Sequence, residues 1–383
     1  MIDIAILNKL NAPTKEERLA NLAEVLKTTT FPPMVPQYIN NHIHTTYSFS
    51  PYSPTAAVYA ARMEGLCTAG IIDHDSISGA REFLEAAALV DMPVTIGMEC
   101  RVSMDGTRLE GRRTNNPDQV GVSYMTIQSV PHDKIEVLTE FFKPYQAARH
   151  ERNRQMIAKI NTLLGLDLDY DRDVLPLSEA RDNGGVTERH LMYALAIRLV
   201  KEVGKGEAMV AKLTAMGLKL SAKQEAQMLD LEYPFYEYDL LGILKSAFVP
   251  QIFIDATTEC PKLPDMVKLC RDVDAYLCYA YLGDVGDSVT GDKKAQKFED
   301  DYLDDVFECL KEEGVTAVTY MPTRNSQAQL ERLRGLCDAY GMFQISGEDI
   351  NSPRQSFVIK AMENPMFANL IDATWKLIEH EKQ

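Results

Sequence analysis

Apolar and polar positions divide the chain into short strand-like runs, each followed by a longer helical run. Ahead of that rhythm, Thr14-Lys-Glu-Glu17 is spaced as a capping box, and Leu19, Leu22, Ala23 and Leu26 continue at helical intervals. Thr28-Thr-Thr-Phe-Pro-Pro33 ends this helix, which predicts an appended helical segment over residues 1–35. From there Tyr38–His44 is strand-like, and Ser53-Pro54 caps a helix reaching Glu64. Thr68–Ile72 and Pro93–Gly97 are further strands, with a helix over Ser78–Val90 between them. Ser103–Asp118 is polar and reads as a loop, and Gln119–Val130 as a strand or strand pair. Alternating strands and helices imply βαβ units with parallel strands.

The rhythm changes near Arg149. Met156, Ile160, Leu163 and Leu164 mark a helix, and His190–Val200 and Gly206–Met216 two more. This predicts a mostly helical insertion over 149–247, splitting a strand–helix domain into parts at 36–148 and 248–383. In the second part Phe248–Ile254, Tyr276–Leu282, Val315–Tyr320 and Met342–Ser346 read as strands, and Lys293–Glu313 and Gln327–Tyr340 as helices.

Composition narrows the function. The chain has 383 residues, 45% hydrophobic and 25% charged, the balance of a soluble globular protein. Forty Lys and Arg stand against fifty-six Asp and Glu, a net charge of −16. That argues against long nucleic acids, which bind through counterion release by basic residues, and against an anionic membrane surface. A small phosphorylated substrate would need local cations or a metal to overcome this field. The seven cysteines contain no Cys-x-x-Cys pair and read as buried thiols of a reducing compartment. No apolar run approaches the ~20 residues of a membrane span. With Ile2-Asp3 in place of a basic leader, the expected location is cytoplasmic.

Candidate chemistry gathers at strand ends. His42 and His44, two apart on a strand, share one face and can converge on a metal ion; alone, such a pair is equally well two histidines bonded to neighbours. Position adds weight. His42 and His44 close the first predicted strand, and Asp73-His74-Asp75 follows the second. Glu99 follows the third and Asp349 the last. In α/β barrels the C-terminal strand ends carry the chemistry. Arg189-His190 opens a predicted helix, where a phosphate could sit. Arg101, Arg112 and Arg113 read as a solvated loop face, His132, His150 and His380 as surface groups, and Cys67 and Cys100 as core thiols. Asp167-x-Asp169-x-Asp171-x-Asp173 imitates a calcium loop but has Arg172 where Gly is needed and Ser178 where Glu is needed.

Three segments carry a family resemblance: His42-Ile-His44-Thr-Thr-Tyr-Ser48, Ile71-Ile-Asp73-His74-Asp75-Ser-Ile-Ser-Gly79, and Ile96-Gly-Met-Glu99. They resemble the polymerase and histidinol phosphatase (PHP) superfamily. Gly347-Glu-Asp349-Ile-Asn351, Arg149-x-x-Arg152-Asn153 and Glu188-Arg189-His190-Leu191 extend the likeness, with the last two similar to its nucleotide-phosphatase branch. The resemblance implies an α/β fold, a distorted TIM-like (β/α)7 barrel with the helical block inserted. It also implies up to three divalent ions and hydrolysis of phosphate esters by metal-activated hydroxide. Carried across, His42, His44, Glu99 and Asp349 match the ligands of one metal, Glu99 would bridge to a second, and His74 matches a ligand of a third. At least one divalent ion per chain is expected, of the Zn, Mn, Fe or Mg type. Asp73, His74, Arg189 and His190 are the candidates for catalytic contacts.

Departures from the family text thin the cluster. Phe49 and Ser50 stand where Asp or His is usual, Val122–Ile127 lacks the expected His, and Asn351 replaces the final His. Ala280-Tyr-Leu282 replaces an Ala-His-Pro strand, with Asp284 and Asp287 beyond. The expected function is a metal-dependent phosphoesterase for a small phosphate monoester, nucleotides included. The alternatives are a non-catalytic metal- or phosphate-binding protein, and hydrolysis of a C–N bond on a similar rim.

Overall fold

The computed structural model describes residues 2–286 and 296–382. Helices α1 (Ile4–Leu10) and α2 (Lys15–Leu26) precede the barrel, and the capping box of Thr14 and Glu17 is formed. Their Leu7, Leu10, Leu22 and Val25 belong to the same apolar core as the strands. The buried Arg18 pairs with the buried Glu82 at 2.6 Å, fastening the extension to the barrel's outer helices.

β1 (Val35–Ile43), α3 (Pro54–Met63), β2 (Leu66–His74), α4 (Ala80–Leu89) and β3 (Val94–Ser103) form consecutive βα units. Ser53 caps α3 by accepting from Ala56 N. β4 (Val122–Gln128) follows a loop rather than a helix and therefore returns antiparallel to β3. This corrects the expectation of parallel strands throughout: β4 is antiparallel to both β3 and β5, and the remaining neighbours are parallel.

Between β4 and β5 lie α5 (Ile135–Leu164), α6 (Glu188–Val203), α7 (Glu207–Ala215), α8 (Ala222–Leu229), α9 (Tyr236–Ile252) and α10 (Leu263–Asp272). Most of this block has a separate core built on Met156, Ile160, Leu195, Leu240 and Leu244. α5 serves both cores: Leu138 and Phe142 pack on the barrel, Met156 and Ile160 in the helical block. The predicted boundary at 148/149 therefore falls inside a helix. The predicted strand Phe248–Ile254 is largely the last turns of α9. Leu241, Leu244, Phe248 and Ile252 recur at helical spacing on its buried face, and the short apolar run by itself could not distinguish the two periods.

The chain then completes the barrel with β5 (Tyr276–Tyr281), α11 (Leu303–Glu313), β6 (Ala317–Tyr320), α12 (Gln327–Tyr340), β7 (Phe343–Ser346) and the closing helix α13 (Ala368–His380). The helix predicted from Lys293 starts only at Leu303, after a 3-10 turn over Asp300–Tyr302, and residues 293–295 and Asp287 lie outside the described residues. The sheet runs β1-β2-β3-β4-β5-β6-β7. It nearly closes: Ile43 bridges Ile350 in parallel, with His44 N donating to Ile350 O (2.9 Å) and Ile350 N to His42 O (3.1 Å). The result is a distorted TIM-like barrel, and that bridge sets Asp349 beside the end of β1. Among the described residues no helix is long and apolar enough to cross a membrane.

Candidate metal centre

The strands reach further toward the rim than their apolar runs suggest. Glu99 lies within β3, not beyond it, because antiparallel β4 pairs with that strand as far as Ser103. His42 is likewise inside β1, and His74 is the last residue of β2. His74 and Glu99 are register partners across β2 and β3.

These side chains converge. Glu99 Oε2 lies 3.1 Å from His74 Nδ1, 3.6 Å from His42 Nε2 and 3.9 Å from His44 Nε2. Asp349 Oδ1 is 3.0 Å from His44 Nε2. The donor atoms fall into two overlapping groups sharing His44, namely His42, His44, Asp349 and His44, His74, Glu99. Ligands bound at ~2.1 Å around one tetrahedral or octahedral ion stand roughly 3.0–3.4 Å apart; the His74–Glu99 and His44–Asp349 separations fall in that range, and those from Glu99 to His42 and His44 are a few tenths of an ångström longer. His42 Nε2 and His44 Nε2 are buried and have no hydrogen-bond partner. Orphaned imidazole nitrogens facing carboxylates are costly unless something electrophilic sits between them.

The electrostatics act unevenly on that donor set: burial lowers His44, but the Asp349 and Glu99 carboxylates outweigh it and raise the imidazolium. Burial pushes the His74 imidazolium down to about 4, leaving the neutral ring that a metal needs. Burial would raise Glu99, but His74, His42 and His44 outweigh it and hold the carboxyl below its ordinary value. Asp349 is held well below the usual carboxylate range by His44 and His42, again against burial.

Asp73 lies behind the cluster. It accepts from Thr45 N (2.7 Å), Thr45 Oγ1 (2.6 Å) and Ser48 Oγ (2.6 Å), and Ser48 Oγ lies 3.3 Å from His44 Nδ1. Asp73 is thus linked to His44 through Ser48, the place that outer hydrogen-bond partners of metal-binding histidines take. His190 is not brought to the rim either. Its Nδ1 accepts from Thr187 N (3.0 Å) as part of a helix cap, its ring packs edge-on against Phe49, and burial pushes it down to about 3.

Arg189 does reach the site. It lines a cavity of about 410 Å3 together with His42, His44, His74, Glu99 and Asp349. The same cavity brings in residues the sequence did not single out, including Lys245, Arg324, Asn115 and Tyr320. Lys245 sits on α9 in front of the segment misread as a strand, and Arg324 follows β6. Among the described residues, none of Arg189, Lys245 and Arg324 forms an ion pair. Another cavity, of about 420 Å3, is lined by Lys15, Arg18 and Arg81, but each pairs with a glutamate and none of the metal-type ligands faces it.

The motif segments of the helical block do something else. Arg149 reaches Asp75, and Arg152 NH1 donates to Glu188 Oε1 (2.8 Å). Arg101, expected on a solvated loop, is instead buried against Glu259. Arg112 pairs with Asp305, and Arg113 donates to the carbonyls of Asn116 and Pro117. Of the histidines read as surface groups, His150 contacts Tyr170 Oη at 2.6 Å and His380 packs on Tyr276, both partly buried. Phe49 fills a place where the family text has a ligand, packing on Tyr193, Tyr238 and His190.

No protein-family profile matches the chain. Error-prone DNA polymerases of Mycobacterium bovis and Mycobacterium tuberculosis are 34% identical to it over 96 residues. That stretch is 24% of this chain and 8% of theirs, so the chain spans a small part of those relatives' length. Two solved structures share the fold. A protein from Bifidobacterium adolescentis assigned as a metal-dependent phosphoesterase has a TM-score of 0.53 at 16% identity, covering 89% of this chain and 98% of its own. An amidohydrolase from Chromobacterium violaceum, with bound sulfate and no metal, has a TM-score of 0.56 at 16% identity, covering 88% and 96%. The chain is thus a nearly closed seven-stranded barrel whose rim carries a histidine–carboxylate cluster able to hold a metal ion. The barrel fold shared with these two structures and the 96-residue likeness to the polymerases agree with the resemblance to the PHP superfamily that the motifs carry.

Proposed function

We propose that the protein is a metal-dependent phosphoesterase that hydrolyses a small phosphate monoester, nucleotides included, with water as nucleophile. One observation carries this reading. The five metal-type ligands open onto the same cavity as three cations that form no ion pair among the described residues. In a chain of net charge −16, such a concentration of positive groups favours an anionic substrate.

His42, His44, Glu99 and Asp349 would hold a divalent ion, with His74 completing the cluster or holding a second ion. Such an ion polarises a phosphoryl oxygen and lowers the pKa of water. Arg189 binds equatorial oxygens of the phosphoryl group, where charge collects in the transition state. Lys245 and Arg324, which line the same cavity, hold the rest of the anion. Ser48 and Asp73 keep the His44 ring in the orientation that presents Nε2.

Metal analysis followed by a panel of phosphate esters tests the reading. Bound divalent metal with phosphate release supports it. Bound metal with no release from any ester favours a non-catalytic binding protein, and ammonia as product favours C–N hydrolysis. Absence of metal under saturating conditions removes the proposal.

A further inference from the structure

Asn351 stands between the two charged halves of the site. Its Nδ2 donates to Asp349 Oδ1 (2.6 Å), while its Oδ1 accepts from Arg189 NH1 (2.7 Å). Arg189 NH2 also reaches the Asn351 carbonyl at 3.4 Å. The neighbours fix the amide's orientation: flipped, it would aim NH2 at a guanidinium and an oxygen at a carboxylate. The loop around it is braced on two sides. Asn351 N donates to Gln355 Oε1 (2.9 Å), Gln355 Nε2 donates to Asp349 O (2.6 Å), and Arg354 pairs with Asp239 on α9 (2.7 Å).

The arrangement solves an electrostatic problem. A free guanidinium this close to Asp349 would pair with it bidentately, neutralising both groups. Asn351 is a neutral spacer that satisfies each without cancelling either. Arg189 keeps a buried Nε with no partner, beside the Phe49 ring at 5.3 Å, so it retains a donor for something else. Asp349 keeps its charge for a cation.

Resting on the reading above, we infer that Asn351 is a positioning residue that holds Arg189 off Asp349, so that a metal ion and a fixed guanidinium grip the same tetrahedral oxyanion from different sides. An aspartate at this position would capture Arg189, and an alanine would let Arg189 fall onto Asp349.

The test is calorimetric titration of the metal-loaded full chain with inorganic phosphate, alongside metal titration of the apoprotein. Thermal melts serve as the control for folding. Wild type should bind both. Asn351→Asp, nearly isosteric, should keep its metal but lose phosphate affinity by tenfold or more. Asn351→Ala should bind metal several-fold more weakly, because Arg189 then competes for Asp349. Unchanged phosphate affinity in Asn351→Asp overturns the inference, as does loss of its metal or unchanged metal affinity in Asn351→Ala. If wild type binds metal but no phosphate, the phosphoesterase reading fails and takes this inference with it. If wild type binds phosphate and the variants match it, only this inference falls.

Discussion

Glu99 Oε2 lies 3.1 Å from Nδ1 of its register partner His74 and also within 4 Å of His42 and His44, which makes it the hub of the rim cluster. Glu99→Ala should therefore abolish metal binding and leave the fold largely intact, since the side chain faces the cavity rather than the core. Elemental analysis of the purified variant, with circular dichroism as control, checks this; unchanged stoichiometry would remove Glu99 from the ligand set.

Ser48 links Asp73 to His44 and touches no cavity surface. Ser48→Ala should weaken metal affinity about 10–100-fold, the usual effect of losing a hydrogen bond that orients a metal-bound imidazole. Competition with a chelator of known affinity measures it. An unaltered affinity would mean that backbone packing alone orients the ring.

Arg101 and Glu259, both buried, join the barrel strand β3 to the chain leaving α9. Glu259→Gln leaves the guanidinium charge short of one partner and should destabilise the protein by roughly 3–5 kcal/mol. Chemical denaturation measures it. A loss below about 1 kcal/mol would show that Glu188, 3.5 Å from Arg101 NH1, compensates.

The residues of the rim cluster were legible because they sit near strand ends, and strand periodicity is a local property. His42, His44, His74 and Glu99 all fall within or beside runs whose apolar pattern is plain. The antiparallel turn at β4 was not legible, because the direction of pairing depends on how the polar loop before it closes. Neither was the site's positive lining. Lys245 and Arg324 reach the cavity only through tertiary packing of α9 and the loop after β6, and their local sequence resembles any solvated helix or turn. Asp73 and His190 mislead in the opposite sense. Their residue types suggest chemistry, but hydrogen bonds from Thr45 and Ser48 use both Asp73 oxygens, and His190 spends Nδ1 on the Thr187 cap and does not line the cavity.

Arg324, in the loop after β6, donates from Nε to Leu282 O at 3.0 Å and lines the cavity. If it holds substrate away from the reacting phosphorus, Arg324→Ala should raise KM about tenfold with kcat little changed, the signature of lost uniform binding by a charged hydrogen bond worth ~1.5 kcal/mol or more. Lys245→Ala should behave similarly. Steady-state kinetics on an active ester decides it, and a fall confined to kcat would place either residue at the reacting centre instead.

Glu299 supplies a test of the fold that is independent of metal. It is fully buried, accepts from Leu282 N (2.9 Å) and Gly283 N (3.3 Å), and burial pushes its carboxyl up to about 7. Its unfolded value is about 4.3. Between those values the folded chain holds a proton that the unfolded chain has released, so the stabilising contribution is complete below about pH 4.3 and declines as pH rises to about 7. The shift corresponds to roughly 4 kcal/mol lost across that window. Glu299→Gln keeps an acceptor for both backbone donors but cannot ionise. It should flatten that part of the stability profile and leave the variant more stable than wild type at pH 8, by about 3–4 kcal/mol. Denaturation midpoints at pH 5 and pH 8 for the two proteins measure the difference directly. Parallel profiles for the two would mean that Glu299 is ionised in the folded protein at neutral pH, with its charge compensated within the fold.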